Sequence, residues 1–409
     1  MLTTTFAPDP AVPARDRLLD ERSASERLGN LLGVEPVSGR RLRAKYRIGE
    51  SLRIVQRISD GSATYVASAR TFPRAIGAAT TDPHVFHDAE WSTVWWLFPA
   101  DRRLRDLGSL LRPNDIRRRR LRLERWFRSE VVEYAPERSL TMRAIDDRDD
   151  AVGYIKAYAP GTVDTAALAR RYDVVAEGLR RHGLPAASPG AFGHDAGALA
   201  LQPMPGVTWA TARRDTLARL LERLGGAIAA MHDLPLDTAG ASAPRFGRLL
   251  PQRVVHSAEL VACARPGLAG RCDQLAAALA DGPRCGPVVL LHGDCHPKNA
   301  LFDGDRVSLV DLDQAGLGDA AADVGSLLAR LRHGTLLGEH DERTADALVA
   351  AFVAGYAAVR PMPDAASVRW HTAAALVAER AMRAVNRVQP EALATLPDLL
   401  DLAVETARR

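Results

Sequence analysis

Apolar and polar positions alternate in two stretches of this chain and recur at helical spacing over most of the remainder. RLRAKYRI from Arg41, SLRIVQRI from Ser51 and SATYVASA from Ser62 each run with period two. Gly49 and Asp60-Gly61 supply the turns between them, which predicts a three-stranded meander. WSTVWWLF follows from Trp91, and its tryptophans Trp91, Trp95 and Trp96 are expected to pack inside a sheet or under a helix. Residues 132–159 then echo the first meander. Tyr134 answers Tyr46, Ser139-Leu140 answers Ser51-Leu52, and Tyr154 answers Tyr65 after a one-residue adjustment. The chain reads as a tandem of two similar small sheets, with Lys156 of the second falling opposite Ala67 of the first.

Beyond the second sheet the period changes. Asp164 to His182 predicts a helix, capped by Asp164 and closed by Gly183 and Pro185. The short apolar strand ALALQPMPG ends at Gly206. In Asp215–His232 the residues Leu217, Leu220, Leu221, Leu224, Ile228 and Met231 form one buried helical face. Further helical patterns cover about 251–280, 319–332, 341–358, 366–388 and 390–407. Four units are expected: a flexible leader over 1–25, marked by Pro8, Pro10 and Pro13; a β-rich cap over 26–128; a small sheet lobe with its hinge over 129–206; and a helical lobe over 207–409. The fold class is α+β and bilobal.

Composition narrows the classes. With 409 residues, 47% hydrophobic and 25% charged, the chain is neither disordered nor fibrous. No apolar run approaches the roughly 18 residues of a membrane span, and the start lacks the apolar core of a signal peptide, so a cytoplasmic protein is expected. Cys263, Cys272, Cys285 and Cys295 contain no C-x-x-C and read as free thiols. A net charge of +4 does not imply a polyanionic partner. Lys45, Lys156 and Lys298 are the chain's three lysines, and the other basic residues are arginine, which makes each lysine conspicuous. Arg117–Arg128 (RRRRLRLERWFR) is a basic, helix-compatible run, read as a solvated face in preference to a phosphate-gripping one.

The chemistry concentrates at 288–325, VVLLHGDCHPKNALFDGDRVSLVDLDQAGLGDAAADVG. Strand Val288–Leu291 delivers His292-Gly293-Asp294. Asn299 follows five positions after Asp294, and a tight hairpin at Asp303-Gly304-Asp305 leads to Asp311 at the end of the next strand. This is the spacing of a kinase catalytic loop: an acid takes the substrate hydroxyl proton, and an amide and a second acid hold Mg²⁺. Magnesium wants a few hard oxygen ligands because phosphate and water supply the others, and the base must carry no metal if it is to accept a proton.

HGDCHPKN followed by VDLDQAGLGDAAAD strongly resembles the aminoglycoside phosphotransferase and choline kinase-like superfamily, which has the protein kinase-like fold. The resemblance covers about 129–388. It implies ATP or GTP as cofactor with Mg²⁺, Asp294 as catalytic base, Asn299 and Asp311 as metal ligands, and His292, Gly318-Asp319 and Asp323 as braces of the loop. It implies that Lys156 pairs with the α/β-phosphates, with Asp173 and Glu177 both open as its acidic partner, and that Gln202, Pro203 and Met204 form the hinge at the adenine edge. Asp313 is a second metal contact or a substrate contact in this reading, and His296 a substrate contact or a structural hydrogen bond. Trp370, Glu379, Arg380 and Arg383 lie on a helix that lines the acceptor cleft in this superfamily. The N-terminal extension resembles the extra sheet of some of its bacterial sugar kinases.

The expected activity is transfer of a γ-phosphoryl group to a hydroxyl of a sugar, amino sugar, aminoglycoside or other antibiotic. The competing readings are a protein-directed kinase, opposed by the missing Gly-rich loop, H-R-D and A-P-E signatures, and a regulatory pseudokinase with a basic nucleic-acid-contacting helix. From Arg330 to the end acidic and basic residues are equal, ten each, which weakens the case for a polycationic acceptor. The partners expected are a nucleoside triphosphate and a small hydroxylated substrate, with no membrane and no nucleic acid.

Overall fold

The structure, a computed structural model, describes residues 6–72, 82–236, 250–283 and 286–409. Cys285 lies outside the described residues; Cys263, Cys272 and Cys295 are free. The chain opens with helices α1 (Arg15–Leu19) and α2 (Glu21–Leu32), the latter capped by the Asp20 side chain. Residues 6–25 are therefore not the frayed leader their prolines suggested. Phe6, Val12, Leu18, Leu19 and Ala24 are buried, and the Ala7 amide donates to the carbonyl of Ala264 in the far half of the chain. Buried Arg15 donates to the Ala7 carbonyl and to the Tyr46 hydroxyl, so the segment is held by apolar and polar contacts together.

The first sheet comprises β1 (Ser38–Arg47), β2 (Ser51–Ser59), β3 (Thr64–Thr71), β4 (Val85–Asp88) and β5 (Thr93–Leu97), antiparallel in the order β1-β2-β3-β5-β4. Its alternating apolar positions bury Leu52, Ile54, Ile58 and Ala67, and Trp95 and Trp96 are wholly enclosed. Two short helices follow, α3 (Leu107–Leu111) and α4 (Asp115–Leu121). The second sheet begins with β6 (Arg128–Ala135), β7 (Ser139–Ile145) and β8 (Ala151–Tyr158). Helix α5 (Thr165–His182) comes next, capped by Asp164 and ended by left-handed Gly183, as the sequence predicts. After β9 (Ala186–Ala187), the strands β10 (Ala191–His194) and β11 (Ala198–Leu201) complete the sheet in the order β10-β11-β8-β7-β6. Leu104, Leu107, Leu110, Leu121, Leu123 and Trp126 pack onto this second sheet rather than the first.

Both sheets contain the same meander. Tyr46 pairs with Leu52 as Tyr134 pairs with Leu140. The next hairpins differ in length, however. Arg53 faces Arg70 where Thr141 faces Lys156, so the first hairpin is two residues longer. The position that answers Lys156 is thus Arg70, not Ala67. Aligning Tyr65 with Tyr154 hid the longer strands of the first hairpin.

The helical half contains β12 (Val207–Thr208), α6 (Leu217–His232), α7 (Pro251–Ala264), α8 (Ala269–Leu279), β13 (Val288–Leu291), β14 (Ala300–Asp303), β15 (Arg306–Leu309), β16 (Gly316–Asp319), α9 (Ala320–Leu336), α10 (Glu342–Ala357) and α11 (Ala365–Ala375). A π-helical turn, Leu376–Ala381, joins α11 to α12 (Met382–Arg387), and α13 (Pro390–Ala394) and α14 (Leu396–Arg408) end the chain. β14 and β15 form the tight hairpin, flanked by β12 and β9, and β13 pairs with β16. One core encloses α5, α6, the hairpin, α9 and α10. Another joins the first sheet, α1 and α2 to α7, α8, α11, α12 and α14. Among the described residues no helix is long and apolar enough to cross a membrane.

Candidate active site

β13 ends at Leu291 and the chain turns through His292, left-handed Gly293 and Asp294. A single buried carboxylate fixes that turn. Asp323, on the first turn of α9, accepts the amides of His292 (2.7 Å) and Gly293 (2.9 Å) and a hydrogen bond from His232 Nε2 (3.0 Å). Burial works against its ionisation, but the His232 and backbone contacts outweigh it and the pKa is lowered. The His232 ring is shared in turn with the Tyr356 hydroxyl at 2.9 Å. His292 Nε2 donates to the Val310 carbonyl at 3.0 Å, tying the turn to the approach to Asp311. Asn299 Nδ2 donates to the backbone carbonyl of Asp294 at 3.0 Å, which ties the Asn299 side chain to the turn. Asp319 caps α9 through the Ala321 amide and also accepts from the Gly286 amide. It braces the base of the site from outside the cavity.

His296 stands 3.8 Å from Asp294, enclosed, with its Nδ1 buried and without a hydrogen-bond partner among the described residues. Burial lowers its pKa to about 3, so the ring is neutral at ordinary pH. Between the two lies Cys295, buried, its thiol pushed well up by burial and so unreactive.

Lys156 projects from β8 into a set of oxygens. Its ammonium pairs with Asp311 and, at 2.6 Å, with Asp313, and lies 3.4 Å from the Tyr172 hydroxyl. Tyr158 donates to Asp313 at 2.8 Å, and the Leu312 amide donates to Tyr172 at 2.9 Å. Burial alone would depress the lysine; Tyr172, Asp313 and Asp311 overcome it and raise its pKa well above 10.5. Neither sequence candidate for its acidic partner fills that role. Glu177 is spent on Arg180 and Arg181 at the surface, and Asp173 accepts the Ala191 amide. Tyr172 comes from the helix where an acid was sought. Because it carries no charge, no charge pattern in the sequence could have marked it. Asp313 likewise is engaged by Lys156, Tyr158 and Tyr172. Asp311 adopts a left-handed backbone (φ 65°), the sharp reversal that aims its carboxylate back at β8.

A cavity of about 540 Å³ is lined by Lys156, Gln202, Met204, Asp294, His296, Asn299, Asp311, Asp313 and Arg383, bringing together most of the predicted site. Gln202 also accepts the Gly190 amide at 3.2 Å. Trp370, Glu379 and Arg380 do not line it. The Trp370 indole is in the core, donating to the Leu279 carbonyl, and Arg380 forms a buried pair with Glu379, which also accepts from Ser326. The π-helical turn explains the split: it shifts the register, so Arg383 faces the cavity while Glu379 and Arg380 stay behind it. The sequence reading missed Arg43, Arg138 and Arg387, which also line the cavity. The basic run at 117–128 forms one short helix and a turn. Arg117 is paired with Asp106 and Asp195, Arg118 with Asp115, and Arg128 with Glu130 and Asp149, which uses up several charges a nucleic acid would need.

Comparison with known proteins identifies the fold and the family. The fold is shared with a structure from Ralstonia eutropha JMP134 assigned to the aminoglycoside phosphotransferases. The two are 15% identical, with a TM-score of 0.53 over 74% of this chain and 98% of that one. The amicoumacin kinase hAmiN, solved with AMP-PNP, Ca²⁺ and Ami, is 15% identical over 73% of this chain and 91% of its own, at a TM-score of 0.49. The aminoglycoside phosphotransferase APH(3'')-Id from Streptomyces rimosus ATCC10970 is 22% identical over 60% and 90%, at 0.40. No curated protein sequence matches. The phosphotransferase enzyme family matches residues 144–371, more than half the chain. The protein has the kinase-like fold and belongs to this family of enzymes that transfer phosphoryl groups to hydroxyls.

Proposed function

We propose that the protein is an ATP- or GTP-dependent small-molecule kinase in which Asp294 is the base. The observation that carries this reading is the convergence of Asp294, Asn299, Asp311 and Lys156 on one cavity, from strands far apart in sequence. Asp294 takes the proton of the acceptor hydroxyl, whose oxygen attacks the γ-phosphorus. The bond from that phosphorus to the β-bridging oxygen breaks, and the nucleoside diphosphate leaves. Asn299 and Asp311 offer the hard oxygens that suit Mg²⁺, and the two residues fit the few protein ligands that this ion takes beside phosphate. When bound, the ion supplies charge neutralisation for the phosphates. Lys156 passes from the carboxylates to the α/β-phosphates, a compact ammonium held in place by Tyr172. Gln202 and Met204 border the adenine.

In this reading 129–206 is the nucleotide lobe with its hinge, 207–409 the catalytic lobe and 26–128 a cap. The test is coupled ADP or GDP release over a panel of sugars, aminoglycosides, nucleosides and choline. With the acceptor found, Asp294→Asn is expected to lower turnover at least ~100-fold, the scale of a lost general base, with nucleotide KM nearly constant. Near-normal turnover would remove Asp294 from the role.

A further inference from the structure

The residues assigned so far make up part of the cavity lining. Arginines make up another part, a basic wall that the phosphoryl-transfer reading leaves without a use. Arg383 and Arg387, spaced i,i+4 on α12, share one helix face and both line the cavity. Arg43 reaches it from β1 of the first sheet, and Arg138 from the turn between β6 and β7. Arg43 is paired with Glu133 at 2.6 Å, whereas Arg138, Arg387 and nearby Lys45 form no salt bridge among the described residues. The crowding is costly. Burial lowers Arg387 to about 10, with Arg43 and Arg383 adding to the effect. Burial likewise lowers Lys45 to about 8, with Arg387, Arg47, Arg138 and Arg43 adding to it. Arg43, Lys45 and Arg387 are half-buried and Arg138 and Arg383 are exposed; with Glu133 as the acid near Arg43, Arg383 and Arg387, these like charges repel one another unless a further anion sits among them. All four arginines fall outside residues 144–371, the part matched to the family, whereas Lys156, Asp294, Asn299 and Asp311 fall inside it.

We propose that the acceptor is a hydroxyl compound bearing a fixed anionic group, a carboxylate, sulfate or phosphate, which Arg43, Arg138, Arg383 and Arg387 hold while its hydroxyl reaches Asp294; this rests on the kinase reading above. A polycationic aminoglycoside meets like charge on this wall and is rejected. Because Arg43 comes from β1, the first sheet forms part of the acceptor site.

The experiment titrates the enzyme first with AMP-PNP and Mg²⁺, which tests the kinase reading separately, and then titrates the loaded enzyme with glucuronate, glucose 6-phosphate, glucose and kanamycin by calorimetry. Glucuronate and glucose 6-phosphate should bind at least tenfold more tightly than glucose, and kanamycin not measurably. The ranking of the two anionic sugars separates a carboxylate from a phosphate. Arg387→Gln should weaken the anionic sugars at least tenfold more than it weakens AMP-PNP, and Arg387→Lys should restore most of the loss. Absent or equal binding of anionic and neutral sugars, or preferential binding of kanamycin, overturns the inference while leaving the kinase reading in place. An Arg387→Gln effect that falls equally on AMP-PNP assigns the wall to the nucleotide and overturns it too. Failure of AMP-PNP to bind removes the parent reading, and this one with it.

Discussion

Lys45 and Lys156 stand on the two sheets in opposite electrostatic company. Lys156 faces Asp311 and Asp313 and is raised well above 10.5; Lys45 faces Arg387, Arg47, Arg138 and Arg43 and, with burial, falls to about 8. The same strand pattern has thus been put to two uses. In the second sheet a lone cation is drawn toward Asp311 and Asp313, which follow the β14–β15 hairpin. Around Lys45 of the first sheet, arginines from β1, the β6–β7 turn and α12 gather instead. The sheets also touch directly. The turn between β6 and β7 carries Glu137, nearly buried, in a left-handed conformation, and Arg53, Arg70 and Arg102 from the N-terminal part close on its carboxylate at 2.8 to 3.0 Å. Its amide donates to Asp101. Arg70, which answers Lys156 in register, is thereby committed to anchoring the neighbouring sheet.

The largest expected effect breaks the comparison at its centre. Lys156→Met should lower turnover at least ~100-fold, the scale of removing a preorganised charge from a phosphoryl-transfer site. Adding Arg70→Lys to that variant should restore nothing, since Arg70 points at Glu137. Activity recovered in the double variant would show that the first sheet can serve as the nucleotide lobe. A smaller effect is expected at the contact between sheets. Glu137→Gln leaves three arginines facing a neutral amide, and the turn, whose flanking residues line the cavity, loses its anchor. Nucleotide KM should rise several-fold with kcat less affected, and an unmoved KM would mean that the turn holds itself.

The smallest effect is in pH dependence. A lysine raised in the folded state stabilises fully below its unfolded value near 10.5 and loses that contribution as pH rises through the folded value. A lysine lowered to about 8 costs stability below 8, and that cost fades between 8 and 10.5. Denaturant unfolding of wild type minus Lys45→Met should therefore slope upward from pH 8 to 10.5, whereas the Lys156→Met difference stays flat there and falls only at higher pH. Matching slopes would erase the contrast between the two lysines.

Much of this was legible in the chain because the signals were local. Asp164 and Gly183 marked both ends of a helix, Gly304 marked a hairpin, and the spacing from Asp294 to Asn299 to Asp311 depended on one short hairpin keeping its length. What escaped depended on distant pairing. The acidic partners of Lys156 lie more than 150 residues away, and the partner on the expected helix is a tyrosine. Arg70 was obscured by a hairpin longer by two residues, and the position of Glu379 by a π-helical turn that no period-3.6 reading anticipates. The N-terminal residues were misjudged because their apolar positions are few. Their packing partners lie in helices near the opposite end of the chain.

That last contact bears on how the molecule could be taken apart. Phe6, Leu18 and Trp95 share one core with Val254, Leu275, Leu396 and Val404, so the first sheet is no detachable module clipped onto a finished enzyme. Cutting the chain before β6 would strip the apolar faces of α7, α8 and α14 and leave them to water, at roughly 25 cal/mol for every Å² uncovered. The beginning and the end of the polypeptide meet in one core and are built to stand or fall as a single cooperative body. A shortened relative lacking the first sheet would need a different surface on those helices, and that difference could be read directly in its sequence.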